Sequence, residues 1–365
     1  MTGRPKPSNS MPTLVHVAKL AGVGLGTASR ALSGQGYVSE QTSARIRTAV
    51  EQLGYQRNEL ARSLKVKRSG AIGLVVPDIG GPFMASCVRA IQKVLRLSEY
   101  TLIVAFTDGS EKTEGEEIDY LLRHQIDGLI IVPAESMAAH FRTPQIAHVP
   151  VVAFDQPVVG EDYDAILVKN QQGARVAVEH LIGHGHKRIA CLGVYRQLYS
   201  IQQRIEGYRV AMKQAKLPMM LGIVDPVDDG IGKQIDKWLM LKDPPTAIFS
   251  LNELTSLETV EACAVRGLRM PKNIAFVGFD DIQLGPYLDP PLTAVLQPAS
   301  DIGEQAALRL LQRIGAKEKL PSKRLLLDAE LIIRGSCGCN RTKSRAGEHM
   351  SKLLRGYPPK GGWRS

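Results

Sequence analysis

The sequence has 365 residues, 44% hydrophobic and 22% charged, with a formal net charge of +10, a composition typical of a globular protein of two or three domains. No apolar run reaches the roughly 18–20 residues needed to span a bilayer, and the N-terminus lacks the apolar stretch of a secretory signal. The five scattered cysteines disfavour a disulfide scaffold and predict a cytoplasmic protein: Cys87, Cys191, Cys263, Cys337 and Cys339.

The basic charge is concentrated at the two ends of the chain. Residues 1–70 have eleven Lys and Arg against three Glu, residues 337–365 have seven against one, and residues 71–336 carry a small acidic excess. A basic end on a weakly acidic body predicts a polyanion-binding module joined to a separate domain. The alternative is a pair of solvated tails, which we favour for residues 337–365 alone.

The chain begins with a basic arm, residues 1–12, that either reaches a DNA minor groove or precedes a translation start at Met11. Thr13 is a suitable helix cap. Apolar residues then recur at the spacing of one helical face: Leu14, Val17, Ala18 and Ala21. The pattern predicts a short helix directly after the arm.

The next stretch, AGVGLGTASRAL at residues 21–32, has the glycines of a phosphate-binding loop. A dinucleotide loop follows a β-strand and has a glycine at its sixth position, but this stretch follows a helix and has Thr27 there. We interpret it as a turn containing Gly22 and a second short helix from Thr27 to Leu32. Two short helices around such a turn are the helix-turn-helix pattern, whose second helix enters the DNA major groove.

A third helix is predicted from the cap Ser39 to Gly54, which marks its end. Its apolar face consists of Ile46, Ala49, Val50 and Leu53. Basic residues on or beside its exposed side lie within reach of phosphates: Arg45, Arg47 and Arg57. A fourth short helix, residues 59–64, is predicted after the cap Asn58.

From Thr13 to Asp78 the sequence resembles the head, hinge and first strand of the LacI/GalR (lactose/galactose repressor) family. The residues that carry the resemblance are Val17-Ala18, Ala21-Gly22-Val23, Thr27 and Ser29-Arg30. The chain departs from the family pattern at His16, Gly24 and Ala28, where the family usually has Asp, Ser and Val. Glycine is an acceptable substitute for the serine that caps the recognition helix.

The resemblance implies which residues contact DNA. The base-contacting positions are Leu25, Gly26 and Arg30, with Arg30 suited to guanine and Leu25 to a thymine methyl group unless Leu25 packs inward. Phosphate or groove-edge contacts are expected from Thr13, Thr27, Ser29 and Tyr37. Residues 58–66 resemble the family's hinge helix, in which Leu64 wedges into the minor groove. The other hinge residues with expected roles are the cap Asn58, Ala61 at the dimer partner and Lys65 near the DNA backbone.

Beyond residue 70 short apolar runs alternate with helical stretches, which predicts an α/β domain with buried parallel strands. The predicted strands are AIGLVV, TLIVAF, GLIIV, VPVVAF, RIACLG, TAIFS and NIAFVGF, and the predicted helices are 83–98, 111–125, 171–184, 203–216 and 255–267. Ligands of such sheets bind beyond the carboxyl ends of the strands.

The segments at those ends resemble the effector domain of the same family, which is similar to periplasmic sugar-binding proteins. The resemblance implies two α/β lobes joined by three crossing strands, with a small molecule in the cleft between them. Phe83 is the expected aromatic wall, and hydrogen bonds to the effector are expected from Asp155, Asn252, Asp280 and Gln297.

Three departures in this cleft bear on the effector. Gly81 replaces the family's Asn, and Gln156 and Gln202 replace two Arg, so that Arg204 is the only arginine left in its segment. Each lost guanidinium removes charge-assisted hydrogen bonds of about 1.5–3 kcal/mol. A sugar remains the expected effector, but one with fewer acceptor groups, or the absence of any effector, stays open.

Three other clusters have weaker interpretations. Asp280-Asp281 are adjacent on a strand end and point apart, which favours structural or ligand-binding roles over acid/base catalysis. His184-Gly185-His186 lies in a glycine-rich turn with no third metal ligand in view and is interpreted as a loop. Cys337-Gly338-Cys339 has only two thiols and no partner pair, so we predict no metal and no cofactor.

The sequence therefore predicts an all-α helix-turn-helix head and hinge helix joined to an α/β, two-lobed, periplasmic-binding-protein-like domain with parallel sheets. The expected boundaries are 1–12 for the arm, 13–57 for the head, 58–70 for the hinge, 71–336 for the effector domain and 337–365 for a disordered tail. The predicted protein is a transcriptional repressor that binds double-stranded operator DNA as a homodimer, with a tetramer left open, and responds to a small molecule. It is expected in the bacterial cytoplasm at the nucleoid, away from membranes. The alternatives are a small-molecule binder with a vestigial DNA role and, less favoured, an enzyme.

Overall fold

The computed structural model describes residues 12–33, 36–55, 69–134, 139–158, 163–225, 230–318 and 320–339. The chain divides into two compact units between Ser69 and Gly70. No helix within these ranges is long and apolar enough to cross a bilayer. Most of the predicted arm and tail lie outside the described residues, as do Arg57 at the end of the predicted head and the hinge residues Asn58, Ala61, Leu64 and Lys65.

The N-terminal unit contains three helices around a small apolar core. They are α1 (Leu14–Leu20), α2 (Leu25–Ser33) and α3 (Glu40–Leu53). The core is formed by Val17, Ala21, Ile46 and Ala49. Helix α2 begins two residues earlier than predicted, because the carbonyl of Gly24 already accepts hydrogen bonds from the amides of Thr27 (2.9 Å) and Ala28 (3.0 Å).

The ends of these helices are capped by local hydrogen bonds. At α1, the backbone amide of Thr13 donates to Nδ1 of His16 at 3.1 Å, so the residue that departs from the family's Asp completes a capping box. At α3, the hydroxyl of Ser39 accepts from the amide of Thr42, and Gly54 ends the helix in the left-handed conformation with φ of 58°. The predicted limits of α3 are confirmed.

The C-terminal unit has two α/β lobes. The first lobe has a six-stranded, all-parallel sheet in the order β11-β5-β4-β3-β1-β2. Its strands are β1 (Ala71–Val76), β2 (Thr101–Phe106), β3 (Gly128–Ile131), β4 (Val151–Phe154), β5 (Asp164–Val168) and β11 (Arg324–Leu327). Its α-helices are α4 (Pro82–Leu97), α5 (Glu111–Arg123) and α10 (Ala299–Gly315), with short 3₁₀ turns at Ala139–Arg142 and Ile146–His148.

The second lobe has a sheet in the order β12-β10-β9-β8-β6-β7, parallel except for its antiparallel β12. Its strands are β6 (Ile189–Gly193), β7 (Met220–Ile223), β8 (Ala247–Ser250), β9 (Ala275–Phe279), β10 (Thr293–Leu296) and β12 (Glu330–Ile332). Its α-helices are α6 (Asn170–Gly183), α7 (Tyr199–Gln214), α8 (Gly230–Leu239) and α9 (Glu253–Val265), and a 3₁₀ turn lies at Gly285–Tyr287.

The chain crosses between the lobes three times, after β5, β10 and β11, as the family resemblance implies. A buried carboxylate fixes the returning segment to the first lobe. Asp164 at the start of β5 accepts from Arg309 (2.9 Å) and Arg313 on α10 and from the amide of Lys323 (2.6 Å) before β11. Burial opposes ionisation of Asp164, but the hydrogen bonds from Arg313, Arg309 and Lys323 outweigh it and lower its pKa.

The predicted strands all form, but one of them is not buried. Strand β2 is the edge of its sheet, with Thr101 and Phe106 at its two ends exposed, because no strand follows it in the sheet. Strands β5, β7, β10, β11 and β12 and helices α8 and α10 were not predicted.

Candidate functional site

The exposed face of α2 contains the predicted base-contacting residues. Leu25 is 50% exposed, Arg30 is exposed, and Ala28 is buried against the core. The alternative that Leu25 packs inward is therefore wrong. A side chain at Gly26 would point into open space, so its absence leaves that position without a group to contact DNA. Nε of Arg30 donates to the carbonyl of Gly26 at 3.3 Å, which sets the side chain along this face.

The residues expected to contact phosphate lie on α2 and in the segments that precede α1 and follow α2. Thr13 and Tyr37 are exposed, the latter to 93%, and Thr27 and Ser29 are half-buried. Gly22 has φ of 64°, the left-handed conformation that lets the chain turn between α1 and α2. All four side chains are thus at least partly accessible to a DNA backbone.

Two basic residues of α3 differ in their surroundings. Arg45 is exposed, whereas Arg47 forms an exposed ion pair with Glu40 at 2.8 Å. An exposed pair of this kind contributes little, about 0–1 kcal/mol, so Arg47 can exchange its partner for a phosphate. Both arginines therefore remain candidates for phosphate contacts.

In the C-terminal unit, Arg204 on α7 is the centre of a buried polar cluster. It is 3% exposed and donates to Asn170 Oδ1 (2.8 Å), the carbonyl of Leu251 (2.7 Å) and Asp280 Oδ2 (3.1 Å). Its guanidinium carbon lies 3.8 Å from the centroid of the Phe279 ring. These contacts hold the guanidinium in place and thereby fix the position of Asp280.

Asp280 also accepts from Nε2 of Gln297 at 2.5 Å. A carboxylate only accepts hydrogen bonds, so this contact assigns the amide nitrogen of Gln297 to Asp280 and leaves Oε1 on the other side. Oε1 of Gln297 is buried and has no hydrogen-bond partner among the described residues. Buried acceptors of this kind are nearly always satisfied in proteins, so Oε1 marks a position for a donor such as a hydroxyl group.

Asp155 lies at the corresponding point of the first lobe. It follows β4 as Asp280 follows β9, and both have left-handed backbone, with φ of 60° and 71°. Burial raises the pKa of Asp155, Arg204 partly opposes that effect, and Asp280 adds to it. Left-handed aspartates at two strand ends are the kind of strained position that occurs at ligand sites.

Gln156 connects the two lobes. It is 3% exposed, and its Nε2 donates to Ser200 Oγ on α7 at 2.7 Å and to Asp155 Oδ2 at 3.2 Å. The amide of Ser200 donates in return to Gln156 Oε1 at 3.3 Å. The residue that replaces a family arginine is thus engaged in an interlobe contact.

A second interlobe contact involves Gly81 and Glu253. A Cβ at Gly81 would lie 2.6 Å from Oε2 of Glu253, so the absence of a side chain makes room for this carboxylate. Burial, together with the charges of Asp280, Asp78 and Asp281, raises the pKa of Glu253 to about 7. The departure from Asn at position 81 therefore brings an additional acidic group to the cleft.

The remaining predicted effector residues are less uniformly placed. Phe83 is half-buried in the first turn of α4 against the apolar core of the first lobe. Asn252 caps α9, with its Oδ1 accepting from the amide of Thr255 at 2.9 Å, so its amide nitrogen is the group that can reach a ligand. Gln202 is exposed and donates to the carbonyl of Gln197, away from the cluster around Arg204.

The adjacent carboxylates Asp280 and Asp281 have separate partners. Asp281 forms a two-point ion pair with Arg334, at 2.9 and 2.6 Å, whereas Asp280 faces Arg204 and Gln297. The interpretation that these side chains point apart in structural and ligand-binding roles agrees with this arrangement.

Sequence reasoning missed Glu253 and Asn170 and gave Arg204 too small a role. A signal for Glu253 was present, since Gly81 stands where the family has a larger residue and a longer side chain can enter that space. The contact between Asn170 and Arg204 joins residues 34 positions apart and has no local signal.

Both units of the chain match known protein families. Residues 13–58 match the family described as bacterial regulatory proteins, lacI family, and residues 178–337 match the periplasmic binding protein-like domain. The ribose operon repressor of Escherichia coli (strain K12) is 32% identical over 333 residues, which cover 89% of this chain and 100% of the relative. The chain belongs to the LacI family.

Two further similar proteins show how wide the similarity is. The HTH-type transcriptional repressor PurR of Aliivibrio salmonicida is 30% identical, over 89% of this chain and 99% of the relative. A structure described as a complex of the transcriptional regulator CelR with cellobiose is 29% identical, covers 89% of this chain and 99% of that chain, and has a TM-score of 0.66. The protein is a DNA-binding transcriptional repressor controlled by an effector.

Proposed function

We propose that this repressor binds a pseudo-palindromic operator as a homodimer, with α2 in the major groove of each half-site. The support is the exposed face of α2, on which Leu25 and Arg30 stand beside Gly26. Two-fold symmetry in a dimer is matched by two-fold symmetry in its DNA site. The remaining contacts of this proposal are phosphate contacts by Thr13, Thr27, Ser29 and Tyr37 and hinge contacts by Asn58, Ala61, Leu64 and Lys65.

The effector in this proposal is an uncharged polyol, in the first instance a sugar, bound between the lobes. The single observation that carries it is the unpartnered, buried Oε1 of Gln297 beside Asp280. Hydroxyl groups donate to such acceptors. The contacts would come from Gln297, Asp280, Asp155 and the amide of Asn252, with Phe83 beside them and Gln202 outside.

The charges in the cleft disfavour an anionic effector. The charge of Asp280 acts on both Asp155 and Glu253 there, and the guanidinium of Arg204 is already paired with Asp280. A phosphate or carboxylate on the ligand would add to a repulsion that already raises the pKa of Asp155 and Glu253. Phosphorylated sugars should therefore bind more weakly than the corresponding free sugars.

The two interlobe contacts described above are the contacts that an effector would alter by changing the separation of the lobes. Gln156 with Ser200 and Gly81 with Glu253 both depend on the separation of the lobes. An effector shifts this separation only to the extent that it binds one arrangement more tightly than the other. A ligand bridging Asp155 in one lobe and Asp280 in the other has the required difference in affinity.

The proposal is tested by selecting operator DNA from a random library with the full-length protein and then adding sugars to the complex. We expect a palindromic consensus, two chains per site, and a change in operator affinity with a neutral sugar. Ribose is the first probe, because the Escherichia coli relative is a ribose operon repressor. Ribose 5-phosphate is its matched anionic control.

Two results would contradict the proposal. Binding without sequence preference, with a strong salt dependence alone, would favour a small-molecule binder with a vestigial DNA role. Consumption of a bound sugar would favour an enzyme, a function that none of its relatives named above has in its description. We place the repressor in the cytoplasm at its operator.

A further inference from the structure

Four potential metal ligands meet at one end of α6 in the second lobe. The ligand atoms of His180, His184, Cys337 and Cys339 all lie within 4.8 Å of one another. Cys339 Sγ is 3.0 Å from Nε2 of His184 and 3.7 Å from Nε2 of His180. None of these four residues belongs to the DNA-binding face or to the effector cleft.

We propose that these four side chains form a structural Zn²⁺ site. Two cysteines and two histidines are a common ligand set of structural zinc, and the two histidines have the spacing H-x₃-H, which places them on one side of a helix end. Tetrahedral zinc with bonds of about 2.0–2.3 Å separates its ligand atoms by about 3.3–3.8 Å. The observed separations need only small side-chain adjustments to reach that geometry.

The cysteine pair is held in place from behind. The backbone amides of Gly335 and Ser336 donate to the carbonyl of Pro291 at 2.9 and 3.0 Å, and Ser336 Oγ donates to the carbonyl of Phe276 at 2.8 Å. Gly338 between the cysteines has φ of 94°, a conformation suited to glycine, which allows the tight turn. The two sulfur atoms are therefore presented by a fixed segment.

Cys337 also has the surroundings of a metal-bound sulfur. The hydroxyl of Thr293 already accepts from the amide of Arg334 at 2.9 Å, and it lies 3.2 Å from Cys337 Sγ, to which it donates its proton. A donor to the sulfur is the typical outer contact of a thiolate ligand. The sulfur's own contact as a donor, to the carbonyl of Arg334, is longer at 3.5 Å.

The site is accessible to an entering metal ion. His184 is exposed, His180 and Cys339 are half-buried, and only Cys337 is fully buried. Zn²⁺ would displace two thiol protons to the solvent and form two S–Zn and two N–Zn bonds, which gives a neutral, closed four-ligand site. Its effect would be to fasten residues 335–339 to the end of α6.

The test is zinc binding by the full-length protein after reduction of its thiols and removal of metal by a chelator. Zinc is titrated against a chromophoric chelator, and Co²⁺ is used as a spectroscopic probe of thiolate ligation. We expect one metal ion per chain and a thiolate-to-cobalt charge-transfer band. Losing a ligand should weaken zinc binding by more than about 100-fold in Cys339→Ser and in His184→Asn, since even outer contacts change affinity 10- to 100-fold.

His186→Asn is the matched control. This histidine lies two positions from His184 but contacts Thr246 Oγ1 at 3.0 Å, outside the cluster. Its zinc affinity should change by less than about threefold, as for an ordinary substitution away from the site. Far-ultraviolet circular dichroism and operator binding of all three variants check that each is folded.

Thiol labelling gives a second readout. Cys339 is the one cysteine that is not fully buried, so it should react fast in the metal-free protein and be protected by zinc. Three results would overturn the proposal: no zinc uptake by the reduced protein, equal uptake by the wild type and the ligand variants, or a Cys337–Cys339 disulfide that forms while zinc is never bound.

Discussion

Replacing Arg204 by Met is the sharpest perturbation of the effector domain. Methionine retains much of the aliphatic volume of the arginine but removes the guanidinium that contacts Asn170, the carbonyl of Leu251 and Asp280. The substitution leaves the carboxylate of Asp280, whose side chain is 12% exposed, without its cation. Removing one member of a buried ion pair typically lowers the free energy of unfolding by about 3–5 kcal/mol, and we expect a decrease in that range for Arg204→Met.

Arg209→Met is the matched control on the same helix. Arg209 Nη1 lies 3.7 Å from Glu206 Oε2, with side-chain exposures of 43% and 48%, so this pair should contribute less than about 1 kcal/mol. Urea unfolding followed by circular dichroism compares the two variants. The double variant Arg204→Met/Asp280→Asn should lose less than the sum of the two single changes, because the unpaired carboxylate is removed as well. Equal stability of Arg204→Met and Arg209→Met would refute the role assigned to Arg204.

Three further predictions concern acidity and DNA. The pKa of Glu253 is raised to about 7 from an ordinary 4.5, so the protonated form that favours the folded state is lost as pH rises through 7. In urea unfolding, Glu253→Gln should therefore flatten the decline of stability between about pH 5 and 7, and an unchanged slope would contradict this. The pKa of Asp164 is lowered, so its contribution to the free energy of unfolding is complete above the ordinary pKa of 3.8 and is lost as pH falls. Asp164→Asn should lower the free energy of unfolding by about 3–5 kcal/mol at pH 7 and by less in acid. A loss of stability that does not change with pH would argue against ionisation as its cause. Arg30→Ala should weaken binding to the selected operator about 10- to 100-fold, with little effect on binding to random DNA. Arg45→Ala should weaken binding to both DNAs and reduce the dependence of affinity on salt concentration. Equal losses of affinity on both DNAs for Arg30→Ala would exclude a base contact.

The interior strands β1, β3, β4, β6, β8 and β9 were predictable because each is a continuous apolar run in the middle of its sheet. The interior strands β5 and β10 are also buried but were missed. Strand β7, at a sheet edge, and strands β11 and β12 escaped prediction, since they are short and only partly buried, so their side chains carry a weaker pattern. Strand β11 pairs with β5, about 160 residues earlier, and no local signal specifies such a pairing. Helix α2 starts directly after Gly24, the cap position that the family resemblance implied, whereas the low helix propensity of glycine made the residue pattern alone predict a later start.

At the sites, Asp155, Asp280 and Gln297, which the family resemblance implied, directly follow the carboxyl ends of β4, β9 and β10. Gln202 is exposed although Arg204 is buried, because residues two positions apart on a helix face in nearly opposite directions. The four ligands of the proposed zinc site were not predicted, because they were not considered together. His184 was considered with His186, whereas its partners are His180 one turn earlier and two cysteines more than 150 positions away.

Control of DNA binding by the cleft is tested most directly by measuring the operator affinity of the wild type and of Asp280→Asn with and without the sugar. Asp280 lies in the C-terminal unit, outside the DNA-binding head, and is held by Arg204 and Gln297. We predict that the variant binds the operator as the wild type does but that its affinity no longer responds to the sugar. A variant that keeps the full response would contradict the assignment of the cleft as the effector site.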